Sequence, residues 1–176
     1  MSMDLITTNT ITSGTASATF TSSIDDTYKL YIFKFIDVHP ATDGYPLRFY
    51  GSSDGNSSFV NQCSVTWYAY TPESGTPSLT YHANGDKHAG SPTEIAYTIG
   101  NDADQSLAGE LWLFDPSDTT YVKHWYARTI ANGETSESWD HFSGGYFQTA
   151  SAINAVKFDI GSGNIDAAVI KMYGVK

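Results

Sequence analysis

Two runs near the C-terminus alternate apolar and polar residues with a period of two. Val156, Phe158 and Ile160 interleave with Lys157 and Asp159, and Ala168, Ile170 and Met172 stand on either side of Lys171 and its neighbours. That period belongs to strands with one buried and one wet face. Gly161-Ser162-Gly163-Asn164 joins the two runs, so the segment reads as a hairpin and the polypeptide is expected to finish inside its own sheet. A last strand that is structural, with no catalytic signature after it, points toward a durable block rather than an enzyme.

The residue vocabulary agrees. Aromatic residues make up 14% of the chain and charged residues only 16%, while Ser, Thr, Asn and Gly fill the segments between hydrophobic runs, as in all-β proteins. With 176 residues the chain suits one domain, large enough to bury roughly 70% of the surface that its unfolded form exposes. The single cysteine, Cys63, has no partner in the chain and is expected to be a small core residue. Nineteen acids against nine Lys and Arg leave a net charge of −10. That balance repels a phosphate backbone and lacks the basic stripe of a nucleic-acid binder. No stretch approaches the ~20 apolar residues of a membrane span, and Met1 to Ile6 has neither a basic nor a hydrophobic leader region. The expectation is therefore synthesis in a cytoplasm, without contact to nucleic acid or membrane.

Along the chain, about ten short apolar or aromatic runs alternate with turn clusters at the spacing of a sandwich or barrel. Residues 1–18 are β-branched and polar and read as edge strands or an arm that could add a strand to a neighbour; residues 19–176 read as a single domain. The strongest strand, Tyr28 to Val38, places Tyr31, Phe33 and Phe35 on one face and Leu30, Ile32, Ile36 and Val38 on the other, which calls for cover on both. Phe59 to Tyr70 reads as a long strand and Ile95, Tyr97 and Ile99 as another, Tyr81 to Gly90 as a loop, and Asn101 to Ser106 as room for a short helix. All six prolines fall outside strand interiors. These signals predict an all-β fold of two antiparallel sheets face to face, with jelly-roll connectivity favoured. An immunoglobulin-type sandwich lacks its marker, a cysteine pair flanking a tryptophan.

The search for chemistry returns little. His82, Asp86 and His88 share one segment, but their spacing matches no closed zinc pattern, so no metal is assigned. Asp115 and Asp118 fit side-chain bonding to turn amides better than a calcium site. A sandwich glycosidase needs paired acids along an aromatic strand, and only Glu110 lies in one. No Gly-x-Ser-x-Gly elbow occurs, and Gly51 to Gly55 and Gly144-Gly145 lack the lysine and helix of a phosphate loop. Neither catalytic residue nor cofactor is assigned. Among the aromatics, Trp112 and Trp125 lie in apolar runs and are expected in the core. Trp139, His141 and Phe142 follow the polar segment Asn132-Gly133-Glu134 and are the candidate exposed contact residues, for a sugar or for a neighbouring subunit.

Several segments carry a resemblance: Tyr31 to Asp43, Thr119 to His124, Gly144-Gly145-Tyr146-Phe147, and Ser162 to Lys176. Over about Thr19 to Lys176 the chain resembles small structural proteins of tailed bacteriophages. The resemblance implies a jelly-roll virion component, forming homotrimers on the capsid shell and contacting the major capsid protein. The alternative is a tail-fibre or spike tip domain binding a host-surface glycan or receptor.

Overall fold

A computed structural model describes residues 2–176. Its thirteen strands form two sheets in which every pairing is antiparallel. In the larger sheet β1 (Met3–Ile11) lies at the edge beside β13 (Ile165–Val175). The order continues through β3 (Leu30–Pro40), β9 (Leu107–Phe114), β10 (His124–Asn132), β11 (Glu137–Phe147), β5 (Gln62–Pro72) and β6 (Ser78–Tyr81), with β7 (Lys87–Gly90) also paired to β5. The smaller sheet runs β2 (Ala18–Phe20), β12 (Ala155–Ile160), β4 (Leu47–Ser52) and β8 (Thr93–Glu94). The fold is an all-β sandwich, with three more strands than the ten expected.

The C-terminal runs are strands, as their period requires, but they do not form a hairpin. β12 sits between β2 and β4 of the small sheet, and β13 sits between β1 and β3 of the large one. Gly161 to Asn164 carries the chain from one sheet to the other. Gly163 has φ +79°, and a Cβ there would stand 2.2 Å from Thr42 Oγ1, so both its conformation and its space require glycine. Period two reports which face is buried and is silent on which strand lies alongside. Phe158 from β12 and Ile170 and Met172 from β13 all belong to the same core.

That core is centred on Phe158, fully buried, whose ring lies 5.0 to 6.2 Å from those of Phe35, Phe33, Phe49 and Phe20. Four of these five contribute from different strands, so the aromatic cluster locks the two sheets together. A β-bulge corrects the reading of β3. Pairing with β9 slips between Phe35 and Val38, where Asp37 takes φ +50°, a left-handed conformation that Asp tolerates better than most residues. The bulge turns Val38 inward, fully buried, and leaves Ile36 exposed. The two therefore do not share a face.

Other expectations are also revised. Of the two readings for residues 1–18, the edge strand holds and the arm does not: β1 and β2 each lie at a sheet edge, and β1 pairs with this chain's own β13 from Met3↔Val175 to Ile11↔Ala168. Asn101 to Ser106 forms turns and no helix, closed by Gln105 N–H donating to Asp102 O. Ile95 to Ile99 is not a strand: Ile95, Ala96 and Ile99 are core residues on a connection, and Tyr45↔Ile99 is an isolated bridge. Tyr81 to Gly90 is framed by β6 and β7 rather than being all loop. Cys63 is half-buried on the outer side of β5, opposite Tyr146, and does not belong to the core.

The outer face of the small sheet carries a charge network. Asp159, 7% exposed, accepts from Arg48 Nε at 2.7 Å and pairs with Lys157 Nζ at 3.2 Å, while Lys157 lies over the rings of Tyr50 and Phe59. Burial and the Asp159 carboxylate beside it raise the Tyr50 hydroxyl far above its ordinary range. Removing one member of a mostly buried ion network strands the others without partners. Asp159→Ala should therefore cost about 3 kcal/mol, whereas Lys29→Ala, which breaks only the exposed pair with Asp115, should leave the denaturation midpoint nearly unchanged. Chemical denaturation of the two variants side by side measures the contrast.

Candidate contact face

The inner face of the large sheet is taken up by the core, and no layer formed by the described residues covers its outer face. On that outer face the strand register aligns side chains into transverse rows. One row runs Tyr81, Trp67, Phe142, Arg128, Glu110, Lys34, Lys171 and Thr8, across eight strands from β6 to β1. Within it the Trp67 and Phe142 rings stack 5.3 Å apart and nearly parallel, and the Arg128 guanidinium lies 4.8 Å from the Phe142 centroid. Arg128 is held by two hydrogen bonds to Asp140, and Lys34 is paired with Glu110. Cross-strand neighbours of this kind are what stabilise a sheet face.

The adjacent row is apolar: Val65, Gly144, Tyr126, Trp112, Ile32, Tyr173 and Leu5. Trp112 and Tyr126 stack 5.6 Å apart. Gly144 interrupts the row, and with no side chain there a groove of about 370 Å³ opens between Val65 and Trp67 on one side and Tyr126 on the other, with Phe142, Arg128 and Glu110 also lining it. Trp67, Tyr126 and Ile130 are each more than two-fifths exposed. Aromatic and β-branched surface gathered in this way is characteristic of contact sites in general.

Gly144 and Gly145 differ in their constraint. A Cβ on Gly144 would meet its nearest atoms at 3.5 Å, ordinary contact, whereas one on Gly145 would lie 2.3 Å from the Cys63 carbonyl oxygen. Gly145→Ala should cost about 2 to 3 kcal/mol through forced backbone movement. Gly144→Ala should leave stability within about 1 kcal/mol and only shallow the groove. Urea midpoints of the two variants check this.

The structure separates the three residues singled out from the sequence. All three lie on strand β11, not in a loop. Trp139 and His141 face inward and are buried, so neither is an exposed contact; Phe142 faces outward, half-buried in the row described above. Trp125 is in the core, but Trp112 is half-buried on the outer face. The inward residues join Tyr68, Tyr70, His82 and Tyr97 in an aromatic box, with Trp139 stacked on Tyr70 and His141 facing Tyr68. His141 is 1% exposed and neither ring nitrogen has a hydrogen-bond partner. Burial, with a smaller contribution from His82, pushes its pKa down to about 3. Burial lowers His82 as well.

His82, Asp86 and His88 do not converge. Asp86 accepts from Thr66 N–H and from the hydroxyls of Thr66 and Tyr81, and His88 is exposed. No cluster of three or more His, Cys, Asp or Glu among the described residues is placed to hold a metal ion. Asp118 Oδ1 accepts from Thr120 and Tyr121 N–H, the turn role that its setting predicts. Trp67, Tyr126 and Ile130 escaped the sequence reading because outward and inward aromatics are equally frequent along these strands. Comparison of the chain with protein-family models, with curated proteins and with solved structures found no match.

Proposed function

We propose that this chain is a structural subunit of a tailed-bacteriophage particle, a trimeric decoration protein that clamps the head shell, and that it meets its neighbours through the outer face of the large sheet. The observation that carries the reading is the pair of rows across that face, a broad aromatic surface with a glycine notch and no covering layer. Segment resemblance supplies the phage context. Binding that favours the folded shell adds its free energy to shell stability, and a sandwich with few long connections and a net negative charge suits such a clamp. Contact energy should concentrate in the aromatic anchors.

Gold-labelled antibody against the chain should mark the heads of virions, and light scattering should give three times the 19.2 kDa of one chain. Tyr126→Ala and Ile130→Ser, both at exposed positions, should weaken particle binding at least tenfold while circular dichroism shows the domain still folded, the first variant giving up only the stack on Trp112 and Phe114. Label at the tail tip would move the protein to the fibre reading, and unlabelled particles would end the virion reading altogether.

A further inference from the structure

A second concavity lies away from the sheet face, at the end of the sandwich where the segments 44–46, 82–84, 94–98 and Glu134 meet. It encloses about 250 Å³ and is lined by Gly44, Pro46, His82, Asn84, Glu94, Tyr97, Thr98 and Glu134, slightly below the ~300 Å³ at which small-molecule sites usually begin. Its lining carries little of the apolar character of the sheet groove. Four features distinguish it from an ordinary surface dimple.

First, Tyr97 stands at its wall with 38% of its surface exposed, while its ring is held by stacking on Tyr68 and by the edge of His82. An aromatic ring fixed from behind and open in front is a platform on which a flat, weakly polar face can stack. Second, His82 and Thr98 are 7% and 6% exposed, and His82 Nδ1 and Thr98 Oγ1 find no hydrogen-bond partner in the protein. Buried polar atoms left without partners are uncommon and call for an explanation; for Thr98 a bound group supplying a hydroxyl is one, whereas His82 Nδ1 lies against the Gly85 backbone. Third, neither Glu94 nor Glu134 makes a salt bridge or a side-chain hydrogen bond among the described residues, so two carboxylates are free to accept. Fourth, Asn84 adds an amide that both donates and accepts.

The ligand class follows from this inventory. No Lys or Arg lines the pocket, so it offers nothing to a phosphate or a carboxylate, and Glu94 and Glu134 repel both. A bare cation is disfavoured because Lys87 and Arg48 already lie near enough to Glu94 to act on its charge. What remains is a neutral ring with one apolar face and hydroxyls around its rim. We propose that this pocket binds a single neutral sugar residue of a glycan, stacked on Tyr97 with its hydroxyls donating to Glu94 and Glu134 and bonding to Thr98 and Asn84. The proposal stands apart from the contact-face reading, since the two sites share no residue.

The test is a printed array of neutral and sialylated glycans probed with the full chain, followed by titration with the methyl glycosides of glucose, galactose, mannose and N-acetylglucosamine under protein-observed NMR. At least one neutral glycan should bind. Glu134→Gln, at an exposed position, and Tyr97→Ala, which also gives up packing on Tyr68, His82 and Trp139, should each weaken it at least tenfold, while Trp67→Ala on the sheet face leaves it unchanged. Glu94→Gln provides the same readout should either of the first two variants fail to fold by circular dichroism. Absence of any neutral binder overturns the proposal, as does binding restricted to sialylated glycans. Binding lost in Trp67→Ala but kept in Tyr97→Ala overturns it too, because the sugar would then lie on the sheet face.

Discussion

Phe158→Ala should lower the thermal midpoint by roughly 6 to 20 °C. The ring is fully buried and meets four other phenyl rings drawn from both sheets, so truncation removes its burial, its aromatic contacts and the filling of the space between layers. Phenylalanine-to-alanine changes in cores cost about 3 to 5 kcal/mol, and a domain of this size loses about 2 to 4 °C per kcal/mol. Phe158→Leu keeps most of the volume and should cost less than half as much. A drop under about 1 kcal/mol for the alanine variant would mean that the two sheets are not held together at this point.

Acid should destabilise the fold well before its carboxylates titrate. His141 is neutral in the fold down to about pH 3, while in the unfolded chain an imidazole takes up a proton near pH 6.5. Below that value the unfolded state binds the extra proton, so stability is complete above about pH 6.5 and falls as pH drops toward 3. The loss is about 2 kcal/mol by pH 5. His82, also lowered by burial, acts in the same direction. Asp4, Asp25, Asp54, Asp118, Glu110 and Glu137 are lowered by their hydrogen bonds and ion pairs, so their contributions persist above the ordinary carboxylate range and vanish only below it. Glu94, raised by burial, opposes the histidines. The charged groups acting on His141 are His82 and Asp140. His141→Phe keeps a ring against Tyr68 and should remove more than half of the stability lost between pH 7 and 5, measured by denaturant midpoints. An unchanged pH slope in that variant would show that the imidazole is solvated or already partnered.

The buried faces were readable from residue types because burial follows the period of two wherever the inward residues are apolar, as in β12, β13 and β9. Strand β11 was not readable, and the reason is local. Between inward Trp139 and Phe147 its inward positions are His141, Ser143 and Gly145, polar or small where the pattern demands large apolar groups, and its outward positions include Phe142 and Tyr146. The bulge at Asp37 was invisible for a similar reason, since a single residue in a left-handed conformation inverts the faces beyond it without changing composition. Pairing partners are a third blind spot. Two amphipathic strands joined by a glycine turn look the same whether they lie side by side or face each other across a core, which is why β12 and β13 read as a hairpin. The candidate face depended on all three, because Trp67, Phe142 and Arg128 become neighbours only once β5, β11 and β10 are set in register.

A density map of the intact virion tests the central claim most directly. On the proposed reading the chain sits on the head shell as trimers, with Trp67, Tyr126, Ile130 and Phe142 of the large sheet turned against a neighbouring subunit. A chain found on the tail, or one seated on the head with that face turned to solvent, would contradict it.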